Sequence, residues 1–412
     1  MKLDILLEKY AEITLKVGIN LQKGQTLIIR AIIENAQLVR VLVKKAYELG
    51  AGNVIVDYSD EKVAKIKAEI APEEALSFAP SYVYDAFEKF AKEGAAFLSI
   101  SSSNPDLFAG CEGKRVAQMS KSVAVAMQGF REHLKKGSVS WNIIAAASPE
   151  WATKVYPKLK VEDAVEKLWK DIFKIARVDQ ENPIKAWDEH ISRIQKNLAY
   201  LNSKKFKKLH YTASNGTDII LELPEKHLWQ GGAIRSTKGV DYVPNIPTEE
   251  VFTLPSKNGV DGIVYGSKPL NYNGNLIDQF WLKFEKGKIV EYDAKIGKEA
   301  LANMITLDEF ACFLGEVALV PYSSPISDLN TIFYNILIDE NASCHFAVGS
   351  AYPMNVVGGT EMNADQLKEA GANLSMQHVD FMIGTSDLSI DGELQSGETI
   401  TIFKNGDFAI YT

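Results

Sequence analysis

The residues best suited to chemistry in this chain lie between Asp339 and Asp380. The chain has only six histidines, and two of them, His345 and His378, fall in this stretch among several acids. An alternating apolar pattern predicts a strand over residues 376–383, which places His378 and Asp380 on one face, about 6.5–7 Å apart along the chain. One imidazole and one carboxylate can therefore converge on a metal ion.

Two further acids lie in segments where a surface position is hard to explain. Glu316 lies in FLGEVALVPY with apolar residues on both sides, where a charged side chain needs a partner or a metal. Glu250 lies in NIPTEEVFTLP, where a loop leads into a predicted strand over residues 251–254. Its neighbour Glu249 has the opposite strand parity, so we expect one of the two acids to face solvent.

The candidate metal ligands share oxygen or nitrogen donor atoms and comprise Glu250, Glu316, Glu340, His345, His378 and Asp380. Carboxylates with a minority of imidazoles suit two divalent ions that share a bridging carboxylate and a bridging water, whereas a structural zinc site would use thiolates. Such ions, about 3.5–4 Å apart, generate hydroxide and stabilise both ends of a displacement. A salt-bridged glutamate or a hydrogen-bonded structural histidine is the alternative interpretation of each residue taken alone.

Two neighbouring side chains have open roles. Cys344 points away from His345 if the segment is extended, which favours a small buried role over metal ligation. Tyr352 is compatible with core packing. It also follows the small residues 349–351 and precedes Pro353, a loop from which a side chain can project over a metal site.

Other hydrolytic and nucleotide-binding motifs are missing from the sequence. It contains no H-E-x-x-H and no G-x-S-x-G, and it has neither G-x-G-x-x-G nor G-x-x-x-x-G-K-[ST]. The remaining histidines lie in charged or amphipathic surroundings, and we expect all of them at the surface: His133, His190, His210 and His227.

The elements that must position these residues change character along the chain. Apolar runs at residues 26–30, 53–58, 95–101 and 138–147 alternate with helical patterns at 36–49, 61–69, 72–92 and 114–136, which predicts a mainly parallel sheet covered by helices on both faces. After residue 208, short β runs separated by turns such as Asn215-Gly216 predict antiparallel hairpins. We therefore expect an N-terminal α/β domain over residues 1–185 and an α+β catalytic, metal-binding domain over residues 186–412.

Composition narrows the class of protein further. The chain of 412 residues is 46% hydrophobic with a net charge of −8, which argues against a general nucleic-acid binder. No segment approaches about 18 uncharged apolar residues, so we expect no membrane span. Three scattered cysteines and an N-terminal amphipathic helix that carries acids, rather than a signal peptide, favour a reducing, cytoplasmic location.

Four motifs in order, NIPTEEVFT, GEVALVP, DENASCHFAVGSAY and HVDFMIG, resemble the M29 family of metallo-aminopeptidases, which includes aminopeptidases T, S and PepS. The opening ITLKVGINLQKGQTLIIR is also similar to that family, so the resemblance spans essentially the whole chain. It implies an N-terminal α/β domain, a C-terminal catalytic domain, a homodimer and a dinuclear site of zinc, cobalt or a similar ion. Glu249 departs from the pattern, because many relatives are expected to carry glycine there.

The resemblance also implies roles for single residues. The positions that match the family's metal ligands are Glu250, Glu316, His345, His378 and Asp380. Glu340 matches an acid associated with the metal site, and Tyr352 matches the catalytic tyrosine.

The expected function is an exopeptidase that releases N-terminal amino acids from peptide substrates. A hydroxide between two metals attacks the first peptide carbonyl, Tyr352 donates a hydrogen bond to the oxyanion, and the bridging Glu316 or Glu340 moves the proton to the leaving amine. A dinuclear phosphoesterase is one alternative, although it would need cationic residues that the motifs lack. A non-enzymatic metal- or peptide-binding protein is the other.

Overall fold

The computed structural model describes residues 3–272 and 275–410. Its contacts divide the chain into two compact units. Unit 1 contains the chain up to His190 together with Ala233–Pro247 and Ile332–Leu337. Unit 2 contains Ile191–Gly232, Thr248–Thr331 and the chain from Ile338 onward. Within the described ranges, no helix is long and apolar enough to cross a membrane.

The secondary structure follows the sequence patterns closely. The strands are β1 (Thr26–Ile32), β2 (Asn53–Ser59), β3 (Ala96–Ser101), β4 (Trp141–Ala145), β5 (Lys208–Thr212), β6 (Asp218–Glu222), β7 (Ile234–Arg235), β8 (Asp241–Tyr242), β9 (Asn245–Ile246), β10 (Val251–Thr253), β11 (Val260–Tyr265), β12 (Leu270–Tyr272), β13 (Asn275–Glu285), β14 (Lys288–Ile296), β15 (Leu314–Leu319), β16 (His345–Gly349), β17 (His378–Met382), β18 (Ser389–Glu393), β19 (Thr399–Lys404) and β20 (Asp407–Phe408). The helices are α1 (Leu3–Ile13), α2 (Ala36–Glu48), α3 (Glu61–Ile70), α4 (Glu73–Leu76), α5 (Ser81–Glu93), α6 (Gly113–Ala126), α7 (Gln128–Lys135), α8 (Pro149–Val155), α9 (Val161–Ile175), α10 (Pro183–Lys204), α11 (Lys298–Ile305), α12 (Ile336–Asp339) and α13 (Ala364–Glu369).

Unit 1 is built on a parallel sheet with the strand order β2-β1-β3-β4-β9. The apolar run of β1 is buried between its neighbours, and Ile28 lies opposite Ile55 on β2 and Phe97 on β3. An apolar cluster that includes Ile28, Phe87, Phe97 and Phe130 fills the space between sheet and helices. The predicted parallel-sheet α/β region is therefore confirmed.

Two predicted helices of unit 1 are each divided in two. The pattern at residues 72–92 forms α4 and α5 with Pro80 between them, because proline lacks the backbone donor that would continue a helix. The pattern at 114–136 forms α6 and α7, which meet at Met127. Helix α8, which begins at Pro149, was not predicted.

Unit 2 contains the predicted antiparallel sheets. The larger sheet has the order β12-β13-β11-β6-β5-β18-β19-β20, with β14 paired to β13. The Asn215-Gly216 turn joins β5 to β6 as expected, and Lys286-Gly287 joins β13 to β14. Gly287 has φ +83°, and a Cβ there would lie 1.8 Å from the carbonyl oxygen of Lys257, so only glycine is tolerated in this turn.

The smaller sheet of unit 2 has the order β10-β15-β16-β17 and two faces of opposite character. One face contributes buried apolar side chains to the unit's main core, among them Val317, Leu319, Phe346, Val348 and Phe381. The alternate residues of the same strands form the other face, which carries the acids and histidines.

Candidate metal centre

Strand register brings the candidate residues of three strands into adjacent rows. Glu316 on β15 lies opposite Ala347 on β16, which lies opposite Asp380 on β17. His345 lies opposite Ala318 in the next row. Directly opposed residues of an antiparallel pair share one face, so these side chains converge from three strands.

A β-bulge in β15 directs Glu316 towards this face. The register shifts between Leu314 and Glu316, which leaves Gly315 as the additional residue. A Cβ on Gly315 would lie 2.5 Å from the carbonyl oxygen of Gly349, so the bulge requires glycine. The bulge places Glu316 in the same cross-strand row as Asp380.

Small residues leave open space at the centre of the face. Ala318, Ala347 and Gly349 lie between the longer acid and imidazole side chains. Gly349 has φ +106°, and a Cβ there would lie 2.2 Å from the carbonyl oxygen of Gln377. The acids and imidazoles therefore surround a space that the small residues Ala318, Ala347 and Gly349 leave open.

Glu250 enters from the opposite edge of the sheet, immediately before β10. It shares parity with Phe252, which lies opposite Ala318. The backbone nitrogen of Glu249 donates a 2.8 Å hydrogen bond to Asn341 Oδ1, and both acids are buried. The prediction that one of them faces solvent is therefore wrong, because Asn341 covers this segment and Gly231 packs against the backbone of Glu250 from another side.

Side-chain distances divide the face into two groups of possible ligands. His345 Nε2 lies 3.2 Å from Glu250 Oε2 and 3.5 Å from Glu316 Oε1. His378 Nε2 lies 3.7 Å from Glu316 Oε2 and 3.3 Å from Asp380 Oδ1. Within each group one donor atom per residue lies within 4.8 Å of the others, and Glu316 belongs to both.

The second nitrogen of each imidazole is tied to a backbone carbonyl. His345 Nδ1 lies 3.2 Å from the oxygen of Ser343, and His378 Nδ1 lies 2.7 Å from the oxygen of Ser350. A carbonyl oxygen only accepts, so each Nδ1 carries the proton and donates. Each Nε2 can then face the carboxylates, which is the arrangement that orients metal-bound histidines.

The buried acids on this face favour the binding of cations. Burial raises the pKa of the Glu316 carboxyl. Burial, followed by the nearby charges of Glu250 and Asp380, raises the pKa of the Glu340 carboxyl well above its usual value. Burial alone would lower the pKa of His378, but Asp380 outweighs it and raises that pKa to about 10. In a metal-free site the imidazoles would thus hold protons that partly balance the charge of the acids. Divalent cations would balance that charge more fully, because they also coordinate the carboxylate oxygens.

Glu340 and Tyr352 lie beside the two groups. Glu340 begins a 3₁₀ turn over residues 340–342 and belongs to neither group. The Tyr352 ring lies 4.7 Å from the His378 ring, between centroids, and 6.2 Å from Phe252. Its side chain is 44% exposed, which contradicts the core-packing alternative. Burial of the phenol group and then the Glu316 carboxylate raise the pKa of Tyr352 well above its usual value, so the hydroxyl remains a donor.

Cys344 has the small buried role that its parity predicts. Its side chain is 1% exposed, and its Sγ lies 3.3 Å from the oxygen and 3.4 Å from the nitrogen of Val320. Burial raises the pKa of the thiol to about 12, so it stays protonated.

The expectation that all other histidines lie at the surface is wrong for two of them. His190 is buried on α10, where its Nδ1 lies 3.1 Å from Arg177 Nη2. His227 is buried with Nδ1 donating to the oxygen of Pro224 at 2.7 Å, and burial lowers its pKa. Neighbours such as Arg177 and Pro224 supply hydrogen bonds that a charged or amphipathic local pattern does not reveal. His133 and His210 are partly exposed.

Sequence reasoning missed the parts of the site that depend on backbone. These are the Gly315 bulge and the carbonyls of Ser343 and Ser350. The glycine in FLGEVALV was the one available signal, because glycine inside a strand pattern indicates a bulge or a close backbone approach.

This chain is similar to known proteins along nearly its whole length. The family model described as thermophilic metalloprotease (M29) matches residues 3–408. Aminopeptidase AmpS of Bacillus subtilis is 46% identical over 98% of both chains. Aminopeptidase 2 of Geobacillus stearothermophilus is 48% identical over 98% of this chain and 97% of its own. The solved structure of wild-type AmpT from Thermus thermophilus superimposes with a TM-score of 0.93 at 39% identity, covering 99% of this chain and 100% of that one.

Proposed function

Because this chain belongs to the M29 family of metalloproteases, we propose that it is a metal-dependent aminopeptidase that releases single residues from the N-terminus of peptides. The observation that carries the proposal is the position of Glu316 in both groups of candidate ligands. A carboxylate with two oxygens, each directed at a different histidine, is suited to bridge two ions.

The donor set fits divalent ions such as zinc or cobalt. Glu250 and His345 would hold one ion, His378 and Asp380 the other, and Glu316 both. When bound, these ions polarise the scissile carbonyl and lower the pKa of a water molecule towards neutrality.

The chain's own residues complete the reaction. Glu340 lies outside both ligand groups, so its carboxylate is free to accept a proton from the attacking water and to deliver it to the leaving amine. Glu316 is the alternative proton carrier. The Tyr352 hydroxyl donates a hydrogen bond to the carbonyl oxygen as that oxygen becomes negative.

The free α-amino group of the substrate explains exopeptidase action. It would bind one of the ions or the carboxylate of Glu340, which lies outside both ligand groups, whereas an internal peptide bond offers no such group. A phosphoesterase would need cationic residues to hold the phosphate, and the motifs that carry the candidate ligands contain none, which disfavours that alternative.

Assembly and location belong to the same proposal. A homodimer is supported by the family resemblance and by exposed apolar side chains on unit 1, where Val63 is 61%, Ile70 78% and Tyr82 76% exposed. The cytoplasm is supported by Cys111, Cys312 and Cys344, all of which are free thiols. Analytical ultracentrifugation measures the oligomeric state, and cell fractionation measures the location.

Metal removal and restoration test the proposed function. Dialysis against a chelator should abolish hydrolysis of leucine p-nitroanilide while the far-ultraviolet circular dichroism spectrum is retained, because the apolar cores do not depend on the ions. Addition of Zn²⁺ or Co²⁺ should restore the rate. The N-acetylated anilide, which lacks the free amine, is the matched control and should not react. Full activity in protein shown by elemental analysis to be metal-free would refute the proposal, as would turnover of the acetylated substrate.

A further inference from the structure

The short segment 349–351 joins the end of β16 to Tyr352, and its middle residue orients a candidate ligand. The Ser350 nitrogen donates a 2.7 Å hydrogen bond to the oxygen of Gln377. The Ser350 oxygen lies 2.7 Å from His378 Nδ1 and accepts its proton. Because this bond directs Nε2 towards the carboxylates, the place of one backbone carbonyl decides how His378 is presented to an ion.

Asn373 holds the residues on both sides of Ser350. Its side-chain nitrogen Nδ2 donates to the Gly349 oxygen at 2.6 Å, and its backbone oxygen accepts from the Ala351 nitrogen at 2.8 Å. Nδ2 also donates to the oxygen of Phe310 at 2.9 Å. Both acceptors of the amide are carbonyls, so the nitrogen end must face them. Asn373 is completely buried, so water does not compete for these bonds.

The backbone around Gly349 leaves little freedom for another arrangement. Gly349 has φ +106°, and its carbonyl oxygen lies against Gly315, the bulge residue that precedes Glu316. Its nitrogen donates to the oxygen of Phe313 at 2.8 Å. A buried carbonyl that loses a donor costs free energy, so removal of the Asn373 amide favours movement of the segment 349–351.

We propose that Asn373 is a positioning residue of the candidate metal centre, which fixes the segment 349–351 and so sets both the direction of the His378 imidazole and the place of the Tyr352 hydroxyl. The two rings are in contact, with centroids 4.7 Å apart. Asn373 acts through this segment and takes no part in bond cleavage. The role towards Tyr352 rests on the proposed aminopeptidase function, whereas the role towards His378 rests on the candidate ligands alone.

Asn373→Asp tests the role, because it keeps the size of the side chain and removes the amide donor. Calorimetric titration with Zn²⁺ should show that the ion of the group containing His378 binds about 10- to 100-fold more weakly, as expected when a partner that orients a ligand is lost. The ion of the group containing His345 should keep its affinity. The visible absorption spectrum of the Co²⁺-loaded variant should also change, because it reports the arrangement of ligands around the ion.

Turnover tests the role towards Tyr352. At saturating metal, Asn373→Asp should lower kcat for leucine p-nitroanilide by about 10- to 100-fold and leave KM within about threefold, because the displaced hydroxyl acts in the transition state. In a Tyr352→Phe background the same substitution should cost less, since the hydroxyl that it misplaces is already absent. Additive losses in the double variant would overturn the role towards Tyr352.

Asn142→Asp is the matched control. Asn142 is buried on β4 of unit 1, and its Nδ2 donates to the oxygen of Val243 at 2.7 Å. Like that of Asn373, its Oδ1 has no hydrogen-bond partner among the described residues. Both substitutions should lower the thermal unfolding temperature, but Asn142→Asp should leave Zn²⁺ affinity, the Co²⁺ spectrum and kcat as in the wild type. Equal effects of the two on these properties would overturn the inference.

Wild-type Zn²⁺ affinity and an unchanged Co²⁺ spectrum in Asn373→Asp would overturn it as well. If that variant does not fold, Asn373→Ser, which introduces no charge, is measured by the same criteria with Asn142→Ser as its control. Absence of metal-dependent hydrolysis in the wild type would instead refute the proposed function, and the Zn²⁺ titration would still decide whether Asn373 positions His378.

Discussion

Two sheets of this protein bury polar side chains in different ways. At the carboxyl edge of the parallel sheet, Asn35 Nδ2 donates to Ser102 Oγ at 3.0 Å, and Ser148 Oγ donates to the Ser102 carbonyl at 2.8 Å. These groups are neutral, and hydrogen bonds join Asn35 Nδ2 and Ser148 Oγ to Ser102, although Asn35 Oδ1 is buried without a partner among the described residues. On the small antiparallel sheet, three carboxylates approach two imidazoles at 3.2–3.7 Å, with Glu340 beside them.

The difference shows which polar cluster requires something from outside the chain. Neutral side chains carry no net charge, so their burial leaves no charge for an ion to balance. Four ionised acids with two neutral imidazoles would carry a charge of −4, which two divalent ions would balance, whereas without metal the imidazoles take up protons and balance only part of it. We therefore interpret the first cluster as structural and the second as a site for cations.

The largest expected effect follows from removing a residue that joins both ligand groups or anchors one. Glu316→Ala and His345→Ala should each lose bound metal, and activity should fall to background, because Glu316 lies in both groups and His345, 1% exposed, is the imidazole of one of them. Metal per chain and turnover are measured on the same samples.

Asn35→Ala provides the control from the parallel sheet. It should cost about 1–3 kcal/mol of unfolding free energy through the lost buried hydrogen bond, with metal content and rate unchanged. His133→Ala should alter none of the three. Normal metal content and rate in either Glu316→Ala or His345→Ala would contradict the interpretation of the small antiparallel sheet as a cation site.

The adjacent acids before β10 offer a narrower comparison. Removing a residue that only hydrogen-bonds a metal ligand weakens metal binding by roughly 10- to 100-fold. Glu250→Gln should weaken it by more than this, because Glu250 Oε2 faces His345 and is itself a candidate ligand. Glu249→Gln should keep its metal, since the opposite parity directs it away from the imidazoles. Isothermal titration with Zn²⁺ measures both, and the reverse order of effects would transfer the ligand role to Glu249.

Tyr352→Phe separates catalysis from packing within the site. Loss of one preorganised donor should lower kcat by roughly 10²–10³, or about 2.7–4 kcal/mol, with metal content unchanged. The phenyl ring retains the contacts with His378 and Phe252, so thermal unfolding should hardly change. Wild-type kcat in this variant would leave Tyr352 without a catalytic role.

The smallest effect concerns Asp387, a carboxylate that its neighbours satisfy fully. Hydrogen bonds from Ser214 and Thr385 lower its pKa to about 2. A depressed pKa adds stability above the unfolded value of 3.8, and that contribution disappears as pH falls through about 2.

Asp387→Asn should therefore lower the unfolding free energy at pH 7 by less than about 1 kcal/mol, since the group is exposed and screened, and wild type and variant should converge near pH 2. Chemical denaturation across this pH range makes the measurement. A loss of bound metal in Asp387→Asn would contradict the prediction that Asp387 lies outside the metal site.

Local patterns in the sequence were sufficient for several features. Period-two alternation predicted that His378 and Asp380 share a face, and β17 places them there. Apolar runs predicted the strands of the parallel sheet, and Asn215-Gly216 predicted a hairpin. These succeed because a strand's parity and a turn's backbone angles depend on residues close together in the chain.

Tertiary structure alone decided the rest. Burial of both Glu249 and Glu250 depends on Asn341, which lies far along the chain. His190 and His227 are buried although their local patterns predicted exposure. Burial and the pairing of charges are set by which distant segments meet, because desolvation depends on every neighbouring atom and not on the order of residues along the chain.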